Sequence, residues 1–159
     1  MKNLIKTEAG FTLVEALVAI AILLIGVLGP LAAAVRGITD GMYARNQIIA
    51  NFLAMEGMEK IINRRDSNVL RGEPAFSNFS PLPGQSETEN DLGFDPDSRH
   101  YQPNRDSGLT FDRLIATEIV AGDQNNPEEI RVTVKVSWHD KPPLPERTLT
   151  LNEYLYALP

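Results

Sequence analysis

Residues 16 to 35 read ALVAIAILLIGVLGPLAAAV, twenty positions without a charged side chain. A helix needs about 20 apolar residues to cross the hydrocarbon core of a bilayer. Phe11, Leu13 and Val14 extend the apolar run towards the N-terminus, and Lys2 and Lys6 precede it. By the positive-inside rule this charge places the first residues in the cytoplasm and the chain after Arg36 outside. One residue breaks the pattern: Glu15 stands at the start of the run with apolar neighbours on both sides. An acidic side chain at mid-span costs about 2.5–3.5 kcal/mol, and less near the end. Nothing basic comes soon after it in the chain to pair with it. A cut before Phe11 would supply a partner, because the new α-amino group would lie four residues from Glu15. Positions i and i+4 share a helix face.

Two simpler readings compete. A secretory signal peptide would be cut near Ala32-Ala33-Ala34, but its apolar core spans about 7–15 residues and carries no carboxylate. A plain membrane anchor leaves Glu15 unexplained.

The stretch Gly10-Phe11-Thr12-Leu13-Val14-Glu15 resembles the processing site of type IV prepilins and type II secretion pseudopilins. The resemblance implies that a prepilin peptidase in the inner membrane cuts after Gly10 and methylates the new N-terminus at Phe11. It implies that Glu15 is the glutamate needed for assembly with other pilin or pseudopilin subunits. The similarity covers residues 1 to 60. Within it, Leu23-Leu24-Ile25-Gly26-Val27-Leu28-Gly29 and, more weakly, residues 50–59 are most similar to minor subunits of the pilus-modification or pseudopilus-tip type.

The resemblance, which implies a leader and a filament-core helix, and the periodicity together divide the chain further. Residues 1–10 form a leader, 11–35 a transmembrane or filament-core helix, and 36–65 an amphipathic helix. From Phe11 to Arg64 such a helix is about 80 Å long. Ile48, Phe52, Met55, Met58 and Ile62 recur at spacings of three and four, a stripe that predicts packing against the globular part. Arg45, Glu56, Lys60 and Arg64 read as a solvated or subunit-facing surface. Gly26, Gly29, Pro30, Gly37 and Gly41 weaken the middle of the helix; proline costs about 3 kcal/mol in a helix interior and glycine about 1. A kink is expected at Pro30.

Residues 66–111 are rich in Asp, Ser, Asn, Pro and Gly and read as an irregular loop region. Residues 112–159 carry three strand signals, at Arg113–Ala121, Ile130–Trp138 and Arg147–Leu155. Ile130, Val132, Val134, Val136 and Trp138 alternate with Arg131, Thr133, Lys135 and Ser137. Turn-rich linkers join the strands, so an antiparallel β-meander is predicted. The expected fold is α+β: a long N-terminal hydrophobic helix packed on a small antiparallel sheet.

The chemistry of catalysis is missing from the pattern. His100 and His139 have no matched partners, no phosphate-binding loop occurs, and Asp95-x-Asp97 lacks the rest of a calcium loop. No metal site, cofactor or enzymatic activity is read from the sequence. The net charge of −6 and the lack of a basic run argue against nucleic-acid contact. With no cysteine there is no disulfide. The reading is therefore a structural subunit of a type IV pilus or pseudopilus, held in the bacterial inner membrane and then in a filament. The alternative is a membrane-anchored or signal-peptide-bearing extracellular binding protein, an adhesin.

Overall fold

A computed structural model describes residues 10–79, 81, 84–103, 109–139 and 145–157. The leader up to residue 9, with Lys2 and Lys6, lies outside the described residues, as do residues 140–144 of the last linker. The chain divides into two units, Met1–Met42 and Tyr43–Pro159.

In the first unit the described residues after Thr12 are helical, the opening part of α1 (Leu13–Leu70). The helix runs without interruption through Pro30. Gly26, Gly29, Gly37 and Gly41 face open space within this chain. Thr39 returns its hydroxyl to the Val35 carbonyl at 3.1 Å, a local bond that replaces a solvent partner. The large apolar side chains stand exposed; Leu13 is 78% and Ile25 75% exposed.

The second unit is the rest of α1 packed on one five-stranded antiparallel sheet. Its strands are β1 (Ser86–Asp95), β2 (His100–Gln102), β3 (Phe111–Gly122), β4 (Pro127–His139) and β5 (Glu146–Tyr156). Their order is β2-β1-β3-β4-β5. The three strands expected from the alternating pattern are β3, β4 and β5. Ile130, Val132, Val134 and Val136 are wholly buried, and Trp138 is nearly so. Period-2 alternation in β4 thus gives one apolar face to the helix and leaves Arg131, Thr133 and Ser137 half-exposed.

The region read as irregular from 66 to 111 is more regular than its composition suggested. Helix α1 continues to Leu70 rather than ending near Arg64. Asn68, fully buried, binds the carbonyls of Ala75 and Ser77 at 3.1 and 2.6 Å. Those bonds fold the next turn back so that Phe76 and Phe79 join the core, their rings edge to face. Further on, Ser86–Asp95 forms β1. Its sequence, SETENDLGFD, is polar and lacks a strand period. It becomes a strand because β3 offers a partner: Ser86 to Glu89 pair with Ala116 to Arg113, and a bulge intervenes before Leu92. Asp91 takes a positive φ of 51° at that bulge, and its amide donates to Asp112 Oδ1 at 2.9 Å.

The helical stripe is also corrected. Met58 is buried and Ile62 packs against the core, but Ile48, Phe52 and Met55 point outward, with Phe52 64% exposed. The face against the sheet is instead Asn46, Ala50, Leu53, Ala54, Gly57, Met58 and Ile61. Small residues at Ala50, Ala54 and Gly57 let the helix come close to the sheet, so the contact face is marked by lack of bulk. A Cβ on Gly57 would lie 3.1 Å from both Arg113 Cδ and Val134 Cγ1. Gly57→Ala is expected to be nearly neutral, since the helical gain of about 1 kcal/mol is offset by this crowding. Gly57→Leu should destabilise by about 1–3 kcal/mol, as read by urea denaturation of the full chain in detergent micelles. A leucine variant as stable as the glycine protein would disprove the close approach.

Candidate functional site

The sequence features with functional weight, Gly10, Phe11 and Glu15, lie together at the start of α1. Gly10, Phe11 and Thr12 precede the first helical residue, Leu13. Thr12 is the N-cap: its Oγ1 accepts from the Glu15 amide at 3.2 Å, and its carbonyl accepts from the Ala16 amide at 3.1 Å. Helices leave their first amides without internal partners, and a threonine at this position satisfies one of them. Glu15 therefore occupies the third helical position, where its charge also complements the helix dipole. The spacing Thr12-x-x-Glu15 before an apolar run is the sequence signature of a capping box, of which the structure shows the bond from the Glu15 amide to Thr12 Oγ1.

This geometry bears on processing in two ways. The Gly10–Phe11 bond lies in non-helical backbone, with Gly10 and Phe11 exposed, so an enzyme can reach it without unwinding a helix. Phe11 itself lies outside α1. The i, i+4 geometry invoked for an amine at Phe11 and the Glu15 carboxylate is therefore not set by helix periodicity, as the cap at Thr12 ends the helix first.

The same span has an 18-residue window apolar enough to cross a membrane. Residues 5–29 match the family model for the prokaryotic N-terminal methylation motif. The chain is type IV pilin-like at its N-terminus. No curated protein and no solved structure matches the chain. The pilin-like resemblance therefore rests on the N-terminal motif together with the α+β architecture of the second unit, a long helix on an antiparallel sheet.

Beyond the motif, the second unit contains a charged cluster that the sequence did not announce. Arg113, on the helix-facing side of β3, is only 2% exposed. Its Nη1 donates to the Leu53 carbonyl of α1 at 2.8 Å, and its guanidinium pairs with Glu89 of β1. Glu56 approaches at 3.5 Å, and Lys60 reaches Glu89 at 3.1 Å. Burial alone would raise the Glu89 carboxyl; the bond to Lys60 and the Arg113 charge outweigh it and hold the group below its ordinary range. Glu56 and Lys60, expected on a solvated face, thus tie helix to sheet. Arg113 and Thr117 on the buried side also explain the imperfect alternation of β3. These groups form an ion cluster that joins α1, β1 and β3.

The remaining candidates are dispersed. His100 opens β2 opposite Asp95, and His139 ends β4 opposite Glu146. The Asp95 carboxylate accepts from the Asp97 and Ser98 amides and from Ser98 Oγ, the last at 2.7 Å, so it closes the turn between β1 and β2. Among the described residues no three His, Asp or Glu side chains converge as metal ligands.

Proposed function

We propose that this protein is a structural subunit of a type IV pilus or a related pseudopilus, of the minor, modifying or tip kind. It enters the inner membrane through the apolar half of α1 with its leader in the cytoplasm. Prepilin peptidase cuts after Gly10 and methylates Phe11. The helix then passes from bilayer to filament, where other subunits bury the apolar surface that lipid had covered. Its work is assembly and not catalysis.

The observation that carries this reading is the methylation motif leading directly into an exposed apolar span. The outward face of the second half of the helix adds support. Ile48, Phe52 and Met55 face away from the sheet, at 57%, 64% and 47% exposure. Apolar side chains recurring there are suited to packing against neighbouring subunits.

Intact mass of the protein recovered from membranes tests the reading. The expected N-terminus is Phe11 with one added methyl group, and cells without the peptidase should yield the chain beginning at Met1. A start near Val35 would instead identify a cleaved signal peptide and a secreted protein. A Met1 start in cells with an active peptidase would reduce the span to a plain anchor.

A further inference from the structure

At the start of α1 two oxygens compete for one amide. In continued helix the Glu15 N–H would donate to the Phe11 carbonyl, four residues back. It donates instead to Thr12 Oγ1 at 3.2 Å. The next amide, that of Ala16, bonds the Thr12 carbonyl at 3.1 Å, and Leu13 is the first helical residue. The Thr12 hydroxyl thus occupies the donor through which the helix would otherwise grow towards the N-terminus.

That growth would have a strong drive. The apolar residues from Leu13 onward leave the first amides little water to bond, and a helix end in an apolar setting takes its acceptors from the protein. Without Oγ1, the Glu15 amide turns to the Phe11 carbonyl and the Val14 amide to the Gly10 carbonyl. Phe11 is then enclosed in the first helical turn. A peptide bond held in a helical turn is shielded until the turn opens. In the structure Gly10 and Phe11 are instead exposed, in non-helical backbone. Residues 5–29 match a methylation motif, an independent sign that an enzyme acts on this segment.

We propose that Thr12 is a positioning residue for the cut after Gly10: by holding the Glu15 amide it keeps Gly10 and Phe11 outside the helix, in the form the peptidase binds. The inference rests on the processing reading proposed above and adds to it the residue that presents the bond. Its role is conformational, so any good cap serves and the hydroxyl itself is not read by the enzyme. An enzyme that binds only the open form sees its apparent affinity fall with the fraction of chain in that form. Loss of the cap therefore raises KM and leaves kcat unchanged. The size is set by the worth of a cap, about fivefold.

The full-length chain in detergent micelles, cut by purified prepilin peptidase and followed by intact mass, tests this. Thr12→Val keeps the shape and removes the acceptor; its KM should rise about fivefold at constant kcat. Thr12→Ser and Thr12→Asn both restore a cap and should be cut as the wild type is. Without enzyme, the ¹³Cα resonance of Phe11 should move towards its helical position in Thr12→Val alone. Asparagine as poor as valine, with serine normal, would mean that the enzyme reads the hydroxyl and would overturn the proposal. So would a valine variant cut with wild-type KM, a loss confined to kcat, or a Phe11 resonance that stays in place. Failure of this pattern among variants that are all cut after Gly10 overturns this inference alone. A wild-type chain left uncut overturns the processing reading, and the role of Thr12 with it.

Discussion

Replacing Arg113 with alanine is expected to destabilise the second unit by about 3 kcal/mol, the lower end of the loss on removing one partner of a buried ion pair. The arginine is 2% exposed and joins three elements: β3 by its own backbone, α1 through the Leu53 carbonyl at 2.8 Å, and β1 through Glu89. Its loss would leave a cavity beneath Gly57 and deprive Glu89 of its closest cation. Lys60 remains 3.1 Å from Glu89, which keeps the effect at the lower end. Glu56, half-exposed, adds little. Urea denaturation in micelles gives the comparison. An Arg113→Met, Glu89→Gln double variant should recover much of the loss, since an apolar replacement of a buried pair is often neutral. A loss below about 1 kcal/mol for Arg113→Ala would mean that the cluster behaves as surface charge.

The pH dependence has a definite sign. The Glu89 carboxyl is held below its ordinary value of 4.5, so the folded state binds this proton less readily than the unfolded chain. Its stabilisation is fully present above about pH 5 and is lost as pH falls through the folded value. The gap between wild type and Arg113→Ala should narrow over the same acidic window.

The strand pattern in the C-terminal third was legible because β4 and β5 alternate apolar and polar residues, and because Gly, Asn, Asp and Pro punctuate the gaps. The methylation motif was legible because its residues are contiguous and precede an apolar span. Elsewhere the pattern misled for identifiable reasons. Bulk at Ile48, Phe52 and Met55 pointed to the wrong helix face, whereas Ala50, Ala54 and Gly57 make the contact because small side chains permit close approach. Strand β1 was missed because its residues have low strand preference alone, and pairing with β3 and β2 forms it. Arg113 was passed over because a charged residue in an alternating strand reads as solvent-facing; Glu89 and the Leu53 carbonyl, both distant in sequence, make its burial tolerable.

Changing Glu15 to alanine should leave cleavage after Gly10 intact and reduce incorporation into filaments roughly a hundredfold, because an unmatched charge in an apolar setting costs about 2.5–3.5 kcal/mol and each 1.4 kcal/mol is about tenfold. On the proposed reading the unmatched charge would be the new α-amino group of Phe11, deprived of the Glu15 carboxylate as its counterion. The cap at Thr12 gives Glu15 a second role, and the two are separable. If Glu15 acts by starting the helix, the loss is limited to the worth of a cap, about 1 kcal/mol or roughly fivefold, so Glu15→Ala should lose no more than Thr12→Ala, and Glu15→Gln should be mild, since glutamine also serves at the third position of a capping box. If Glu15 acts by charge, Glu15→Gln should match Glu15→Ala, while Thr12→Ala loses no more than about tenfold. We expect the second pattern. Phe11 precedes the helix and Glu15 is exposed at its first turn, which leaves the carboxylate free to meet the amine of an adjacent subunit. Counting this chain against the other subunits in purified filaments of each variant separates the two. Normal incorporation of Glu15→Ala would remove the charge match from the assembly mechanism altogether.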